Sequence, residues 1–422
     1  MVKRILIAFV CVASFSAHAQ NGTISPYSFF GIGDFRQNGT VDNQMMGGLM
    51  MHGDSIHINL RNPAAYAKLR LTAYTAGISH REFRLKDFTE EQNTSVTNLD
   101  YLAIGFPLGK KVGAGFGLMP FSSVGYQLVQ NTPGSEVTNL FTGEGGINRV
   151  YASLGFEPLK DLSLGATINF NFGTLEYGRL QTVEGVQFGT IDNRESKING
   201  FDFNYSAMYT PKIGEKYTLH AFAGIDTQIN LVSENSERIG SFSTSNGEEI
   251  EVIDVDLDAL NLRNTELKIP TTFTAGLGFG ENKKWFLGAE YSFQQMSDFE
   301  NAFLGIDNVR YQDASSYAIG GYFIPKYNAL SGYLNRINYR AGLRYHVTGL
   351  VVNEKEINNF GITFGFGLPL GGTVRDPFSN LNLGFELGRR GTTDKNLIEE
   401  SYFKVNVGLS LNAIWFQKQK IN

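Results

Sequence analysis

The sequence predicts an all-β protein, a transmembrane antiparallel β-barrel of about fourteen strands with an N-terminal hatch in its lumen. Three observations carry this reading. Some strands alternate for longer than a soluble sheet needs. The linkers alternate between long and short. A long stretch ahead of the first strand is too apolar to be a tail and too irregular to be a strand.

The alternation is clearest in "YFKVNVGLSLNAIWF", Tyr402 to Phe416. Phe403, Val405, Val407, Leu409, Leu411, Ala413 and Trp415 form an apolar set, and Lys404, Asn406, Gly408, Ser410 and Asn412 a polar one. Period two puts each set on its own face of a strand. A soluble strand usually ends after about five or six residues, whereas a tilted strand that crosses a bilayer needs about nine to eleven. Similar stretches are Leu162–Gly173, Phe201–Thr210, Tyr217–Leu231, Ile269–Phe279, Trp285–Phe293 and Ile337–Val347. Weaker strands begin near Leu69, Leu99, Val112, Asn148, Tyr311, Ile357 and Leu381.

Between these strands, residues 82–97, 131–145, 178–197 and 232–267 are expected to be long loops. "GKK", "EPLKD", "PKIGEK" and "ENKK" are tight turns that fall between them. Long extracellular loops alternating with short periplasmic turns are a property of outer-membrane barrels. The alternation blurs at 324–334, where a turn that should be short is longer. An even strand count returns both ends of the barrel to the periplasm. The competing fold, a secreted sandwich array, needs neither such long strands nor such linkers.

Composition agrees. The 422 residues carry a formal charge of −5, which gives no footprint for nucleic acid. There are 48 Gly and 13% aromatics but only 11 Pro, which suits long paired strands with aromatic girdles. The mean hydropathy of −0.16, with no later apolar run of spanning length, excludes a helical membrane protein. At the N-terminus, Lys3 and Arg4 precede an apolar run from Ile5 to Val12 and the small-residue site Ala17-His18-Ala19. This pattern predicts a signal peptide over 1–19, a mature start at Gln20 and export. The single cysteine, Cys11, falls inside that leader, so disulfides and thiol catalysis are not expected.

Residues 20–68 form the expected hatch and 69–422 the barrel. A barrel this wide cannot fill its lumen with wall side chains alone. The hatch holds Met45, Met46, Met50 and Met51 around Gly47-Gly48, either as core packing or as an adaptable apolar lining.

"NLRNPAAYAKL", with Asn62, Pro63 and Ala64, resembles the hatch motif of the FadL-type long-chain fatty-acid transport porins. "LKIPTTFTAGLGF" and "NYRAGLRY" resemble that family's Leu-Pro and Tyr-Arg strands. "SPYSFFGIGD", "INNFGITFGFGLPL" and "LNLGFELGRRGTT" are similar to a branch of these proteins common in Bacteroidetes. The resemblance implies the outer membrane and its lipid as surroundings. It also implies a hydrophobic ligand such as a fatty acid, whose carboxylate meets a basic lumen residue. Ligand-binding candidates are Arg340, Arg344, Lys268 and Arg390; the two arginines at 340 and 344 rank first because a guanidinium grips a carboxylate through a fork. The competing role for each is to pair with Glu290, Glu386 or a hatch acid and hold the plug. Pro120 interrupts "KVGAGFGLMPFSSVGY" in the third strand, where the family implies a kink and a lateral gate; an unpaired strand end at the rim is the alternative.

No catalytic motif, cofactor loop or metal pattern emerges. Asp254, Asp256 and Asp258 alternate like the start of a calcium loop but lack its Gly and closing Glu. The expected function is transport of hydrophobic molecules past the hatch. The alternative is a barrel of the same fold that serves as a non-transporting subunit of a secretion or assembly complex. A continuous apolar path favours the first; a blocked lumen with an apolar or charged patch on the loops favours the second.

Overall fold

The structure is a computed structural model that describes residues 22–37, 39–131, 136–299, 301–304, 308–371 and 379–413. The expected leader over 1–19, the start at Gln20 and the last residues of the closing strand, Trp415 and Phe416, lie outside them. Fourteen antiparallel strands close into one barrel. They are β1 (Thr72–Lys86), β2 (Glu91–Pro107), β3 (Val112–Asn131), β4 (Val137–Leu159), β5 (Leu162–Val183), β6 (Phe188–Tyr209), β7 (Tyr217–Asp226 and Ile229–Ser243) and β8 (Asn264–Ile269 and Thr272–Glu281). Then come β9 (Trp285–Gln294), β10 (Ala314–Phe323), β11 (Asn338–Val352), β12 (Lys355–Leu370), β13 (Ser379–Arg390) and β14 (Glu399–Ala413). Closure is by β14 on β1, with Ala413 opposite Thr72 and Glu399 opposite Lys86. No helix among the described residues is long and apolar enough to cross a membrane.

Side-chain alternation falls where period two puts it. In β14, Lys404, Asn406, Gly408, Ser410 and Asn412 are buried against the lumen while Phe403 is exposed on the outside. In β11, Arg340, Gly342 and Arg344 are buried, and Ala341, Leu343 and Tyr345 are exposed. Aromatics gather at two levels of the outer surface. Phe279 lies 5.2 Å from Tyr217 and 5.9 Å from Trp285 near the short-turn end. Tyr291 and Tyr317 lie 5.1 Å apart at the other end. Amphipathic rings at both interfaces are what a bilayer selects.

Two expectations change. The stretches expected as long loops are largely sheet: β1 and β2 are joined through 87–90, and β5 and β6 through 184–187. Strands β4, β5 and β6 run for 23, 22 and 22 residues and stand out beyond the bilayer as ribbons. There both faces meet water, so the apolar half of the alternation disappears from the sequence although the ladder continues. The second correction is Lys268, which is exposed on the outer face, not the lumen. Pro270 cannot donate to the ladder and interrupts β8 between Ile269 and Thr272. The gap reverses the alternation, so Leu267 and Ile269 face inward above it and Thr274 and Gly276 below it.

Residues 22–71 thread the lumen from the long-ribbon end to the short-turn end. A 3₁₀ turn, Pro26–Phe29, lies near the top, where Tyr27 Oη donates to the Ile398 carbonyl at 2.6 Å. One helical turn, Val41–Gln44, sits at mid-height. A second 3₁₀ turn, Pro63–Lys68, packs on β4, β5 and β3 at the bottom. The long 324–337 connection holds its own 3₁₀ turn, Tyr333–Arg336, which accounts for its length.

Candidate functional site: the seam and the lumen-filling segment

The N-terminal segment meets the wall through buried polar contacts at several heights. At the top, Ser25 Oγ bonds Glu400, and Arg390 Nη1 reaches Asp34 Oδ1 at 2.7 Å. At mid-height, Tyr101 Oη accepts from the Val41 amide at 3.1 Å, and Lys404 Nζ donates to Gln44 Oε1 at 3.1 Å. Thr363 Oγ1 lies 3.1 Å from the Gly47 amide and 3.2 Å from the Met45 carbonyl. The Glu290 carboxylate accepts from the Met50 amide at 2.7 Å and the Met51 amide at 2.5 Å. Lower still, Ser206 Oγ accepts from the Ala64 amide at 2.9 Å and donates to Asn62 Oδ1 at 2.9 Å. Asn62 Nδ2 also donates to the Met50 carbonyl at 3.0 Å, so the Asn-Pro-Ala motif ties the segment both to itself and to β6.

Wall glycines let the two backbones touch. A Cβ on Gly342 would stand 2.2 Å from the Gly47 nitrogen, and one on Gly320 2.3 Å from the Met46 carbonyl oxygen. The methionines fill the space around these contacts: Met45, Met46 and Met51 are at most 1% exposed and Met50 is 5%.

The three arginine candidates have partners within the protein. Arg344 donates through Nε to Glu386 Oε1 at 3.0 Å and also bonds Tyr402 Oη. Arg340 donates to Asn382 Oδ1 at 2.8 Å. Arg390 holds Asp34, as described. Lys268, outside, is not part of the site. Parity identifies the inward positions but not these pairings. Sequence reading also missed Arg149, buried with Nη2 2.9 Å from Asp202 Oδ2, although its lumen parity in β4 was available as a signal.

Pro120 marks a break in the wall. The β2–β3 ladder covers only Leu102–Pro107 against Gly113–Leu118. Above Leu118, β2 stays paired with β1 and β3 with β4, but not with each other. The β3–β4 register slips between Pro120 and Ser122. The segment fills the seam: Asp34 and Phe35 pair with Ser123 and Ser122, and the Arg36 amide donates to the Phe121 carbonyl at 2.9 Å. Beside the segment lies a cavity of about 340 Å³, apolar where Ile32, Met119 and Phe121 meet it and charged where Arg61, Arg149 and Glu290 do. Among the described residues no three His, Cys, Asp or Glu side chains converge as a metal site.

Within the segment, His57 Nδ1 lies 2.6 Å from Asp54 Oδ2, and Asp54 Oδ1 accepts from the His57 amide at 2.7 Å. Burial pulls the imidazole toward neutrality, but the Asp54 carboxylate outweighs it and raises the His57 pKa. Burial likewise opposes ionisation of Asp54, and His57 overrides it, holding that carboxyl well below its usual range. The raised histidine contributes stability that is complete below the unfolded value of about 6.5 and is lost as pH rises through the folded value. The depressed acid contributes stability complete above about 3.9 and lost as pH falls through its folded value. Thermal unfolding in detergent should therefore show a steeper fall of the midpoint above about pH 6.5 in the wild type than in His57→Gln. Superimposable profiles for wild type and variant would refute this.

The family model described as BamG matches residues 1–422, the whole chain. The chain belongs to the BamG family. Its barrel is of the FadL type. A Pseudomonas aeruginosa FadL homologue superposes with a TM-score of 0.60 at 11% identity, covering 91% of this chain and 100% of that one. The Pseudomonas putida toluene transporter TodX gives 0.59 at 16%, covering 90% and 98%. The Ralstonia pickettii toluene transporter TbuX gives 0.57 at 13%, covering 89% and 98%. At such identities the likeness shows the fold. Comparison with curated proteins finds no match. This BamG-family chain is thus a β-barrel of FadL type, and two of these solved neighbours are named as toluene transporters.

Proposed function

We propose that this BamG-family barrel is a non-transporting subunit of an outer-membrane secretion or assembly complex, exported by the leader over 1–19. The carrying observation is the state of the lumen. The three inward arginines expected to hold a ligand carboxylate, Arg340, Arg344 and Arg390, each bond a protein group already. The segment that fills the lumen is tied to the wall from Glu400 down to Ser206. A transporter's plug must move or leave a path, and every one of these contacts opposes movement.

A second reading, passage of small hydrophobic molecules, has one observation in its favour. Above Leu118 the β2–β3 ladder is interrupted beside the apolar end of the cavity, with Pro120 at the kink and only the N-terminal segment closing the gap. In that reading Pro120 marks a lateral gate, and residues 20–68 form a hatch that yields. The solved relatives named for toluene and for FadL lend it support.

Native mass spectrometry after gentle solubilisation separates the two. A discrete assembly with other outer-membrane proteins and an empty barrel is the expected result. A monomer carrying fatty acid or hydrocarbon, with uptake into liposomes, would overturn the proposal.

A further inference from the structure

Beyond the bilayer, β7 continues upward as a ribbon. Its outward residues become charged at Glu234, and the strand runs on to Ser243. One edge of this extension pairs with β6, from Val232 opposite Asn199 to Ser243 opposite Phe188. On the other edge β8 reaches only Asn264, opposite Glu234. Higher up, a short strand, Glu249–Asp254, takes its place against Arg238–Phe242. Among the described residues this strand has no register partner besides Arg238–Phe242, so its outer edge is free.

Free edges present rows of unpaired N–H and C=O groups, and proteins usually blunt them with Lys, Pro or a cover. This edge has no Lys, Pro or cover; its protection is a short strand whose charges are all acids, which repel an acidic edge and attract a basic strand. Ile250 and Ile253 are 57% and 62% exposed. The run "EEIEVIDVDLD", residues 248–258, contains six acids and no Lys or Arg. Arg238 of the neighbouring strand offsets part of that charge, lying 3.4 Å from Glu249 and 3.9 Å from Asp254. β-Branched residues interleaved with acids favour an extended strand and would repel the same edge of a second copy, because like charges opposite one another destabilise a pair.

We propose that the Glu249–Asp254 edge receives an extended strand, basic residues alternating with apolar ones, from a partner protein at the cell surface. The mode is β-augmentation: main-chain bonds supply affinity, and the Ile and acid positions select the partner. This rests on the complex-subunit reading and identifies where and how one partner docks.

The probe is a dye-labelled, end-capped Lys-Val repeat of seven residues, titrated by fluorescence anisotropy onto the full-length barrel in detergent micelles. Binding should weaken at least tenfold in the triple variant Glu249→Lys, Glu251→Lys, Asp254→Lys, and likewise in Ile250→Ser with Ile253→Ser. A Lys-Pro peptide of equal charge, which cannot pair with a strand, should not bind. The matched charge change Glu90→Lys, Glu176→Lys, Glu195→Lys, elsewhere on the extracellular side, should leave binding intact, and heat-modifiable gel migration should show every variant folded. Equal binding of the Lys-Pro peptide, insensitivity to the edge variants, or an edge-dependent homodimer would overturn the inference. A native assembly that survives the edge variants would sink this docking site and leave the subunit reading standing. Specific peptide binding by a barrel that never co-purifies with a partner would do the reverse.

Discussion

Arg344→Ala is expected to destabilise the barrel by about 3 kcal/mol, because it removes the ion-pair partner of the buried Glu386 carboxylate in the lumen wall. Glu386 is 1% exposed and Arg344 5%, so water does not reach the pair to soften the loss. The partner acid sits on β13, two strands from β11, and Tyr402 of β14 joins the same pair through a 2.9 Å bond to Glu386 Oε1. One arginine thus links three strands beside the closure of the barrel. The double change Arg344→Met with Glu386→Met should restore much of the loss, since replacing both members of a buried pair by apolar groups is often nearly neutral. Guanidinium unfolding in detergent, arranged as a double-mutant cycle, reads both numbers. If Arg344 instead served a ligand carboxylate, the single variant would be as stable as wild type and would lose uptake of a fatty acid but not of the matching alcohol. That outcome would reverse the assignment of Arg344 as a wall residue.

The parts of this architecture that were legible in the sequence are those where lipid lies on one side and the lumen on the other. In β11 and β14 the bilayer demands an apolar outer face, so alternation assigns Arg344 and Lys404 inward without a structure. Where that demand lapses, the reading fails. The ribbon ends of β4 to β6 face water on both sides and read as loops. At Pro270 the chain breaks step, and Lys268 changes face. Contacts between the filling segment and the wall were illegible for another reason. Glu290 and Met50 are 240 residues apart, and a lone inward Glu in a strand announces no partner. Asn62-Pro63-Ala64 was visible as a motif, but its bond to Ser206 follows from where closure places β6.

Glu290→Ala should release the middle of the segment while leaving the barrel closed. The carboxylate is the acceptor for two successive backbone amides, Met50 and Met51, at a point where the chain is neither helix nor sheet. Glu290 is 7% exposed, so its removal strands both N–H groups away from water, at about 1–3 kcal/mol each. The ladders that Glu290 belongs to, opposite Gly276 and Ala318, use only its backbone and persist. A cysteine introduced at Met46, 1% exposed in the intact protein, is the reporter. It should resist a bulky periplasmic thiol reagent in the otherwise wild-type barrel and become labelled in the Glu290→Ala background. Unchanged labelling would show that the remaining ties, Thr363 above and Ser206 below, hold the segment without Glu290. Glu290→Gln should stay shielded or label far less, because Met50 and Met51 both donate to the same oxygen, Oε1, and an amide oxygen can still accept from both. The same variants bear on function. If the segment is a fixed part of a complex subunit, freeing it raises leak to polar and apolar solutes alike and lowers recovery of the native assembly. If it is a hatch, Glu290→Ala speeds hydrophobic uptake selectively, because loosening a gate lowers the barrier for the solute the gate admits.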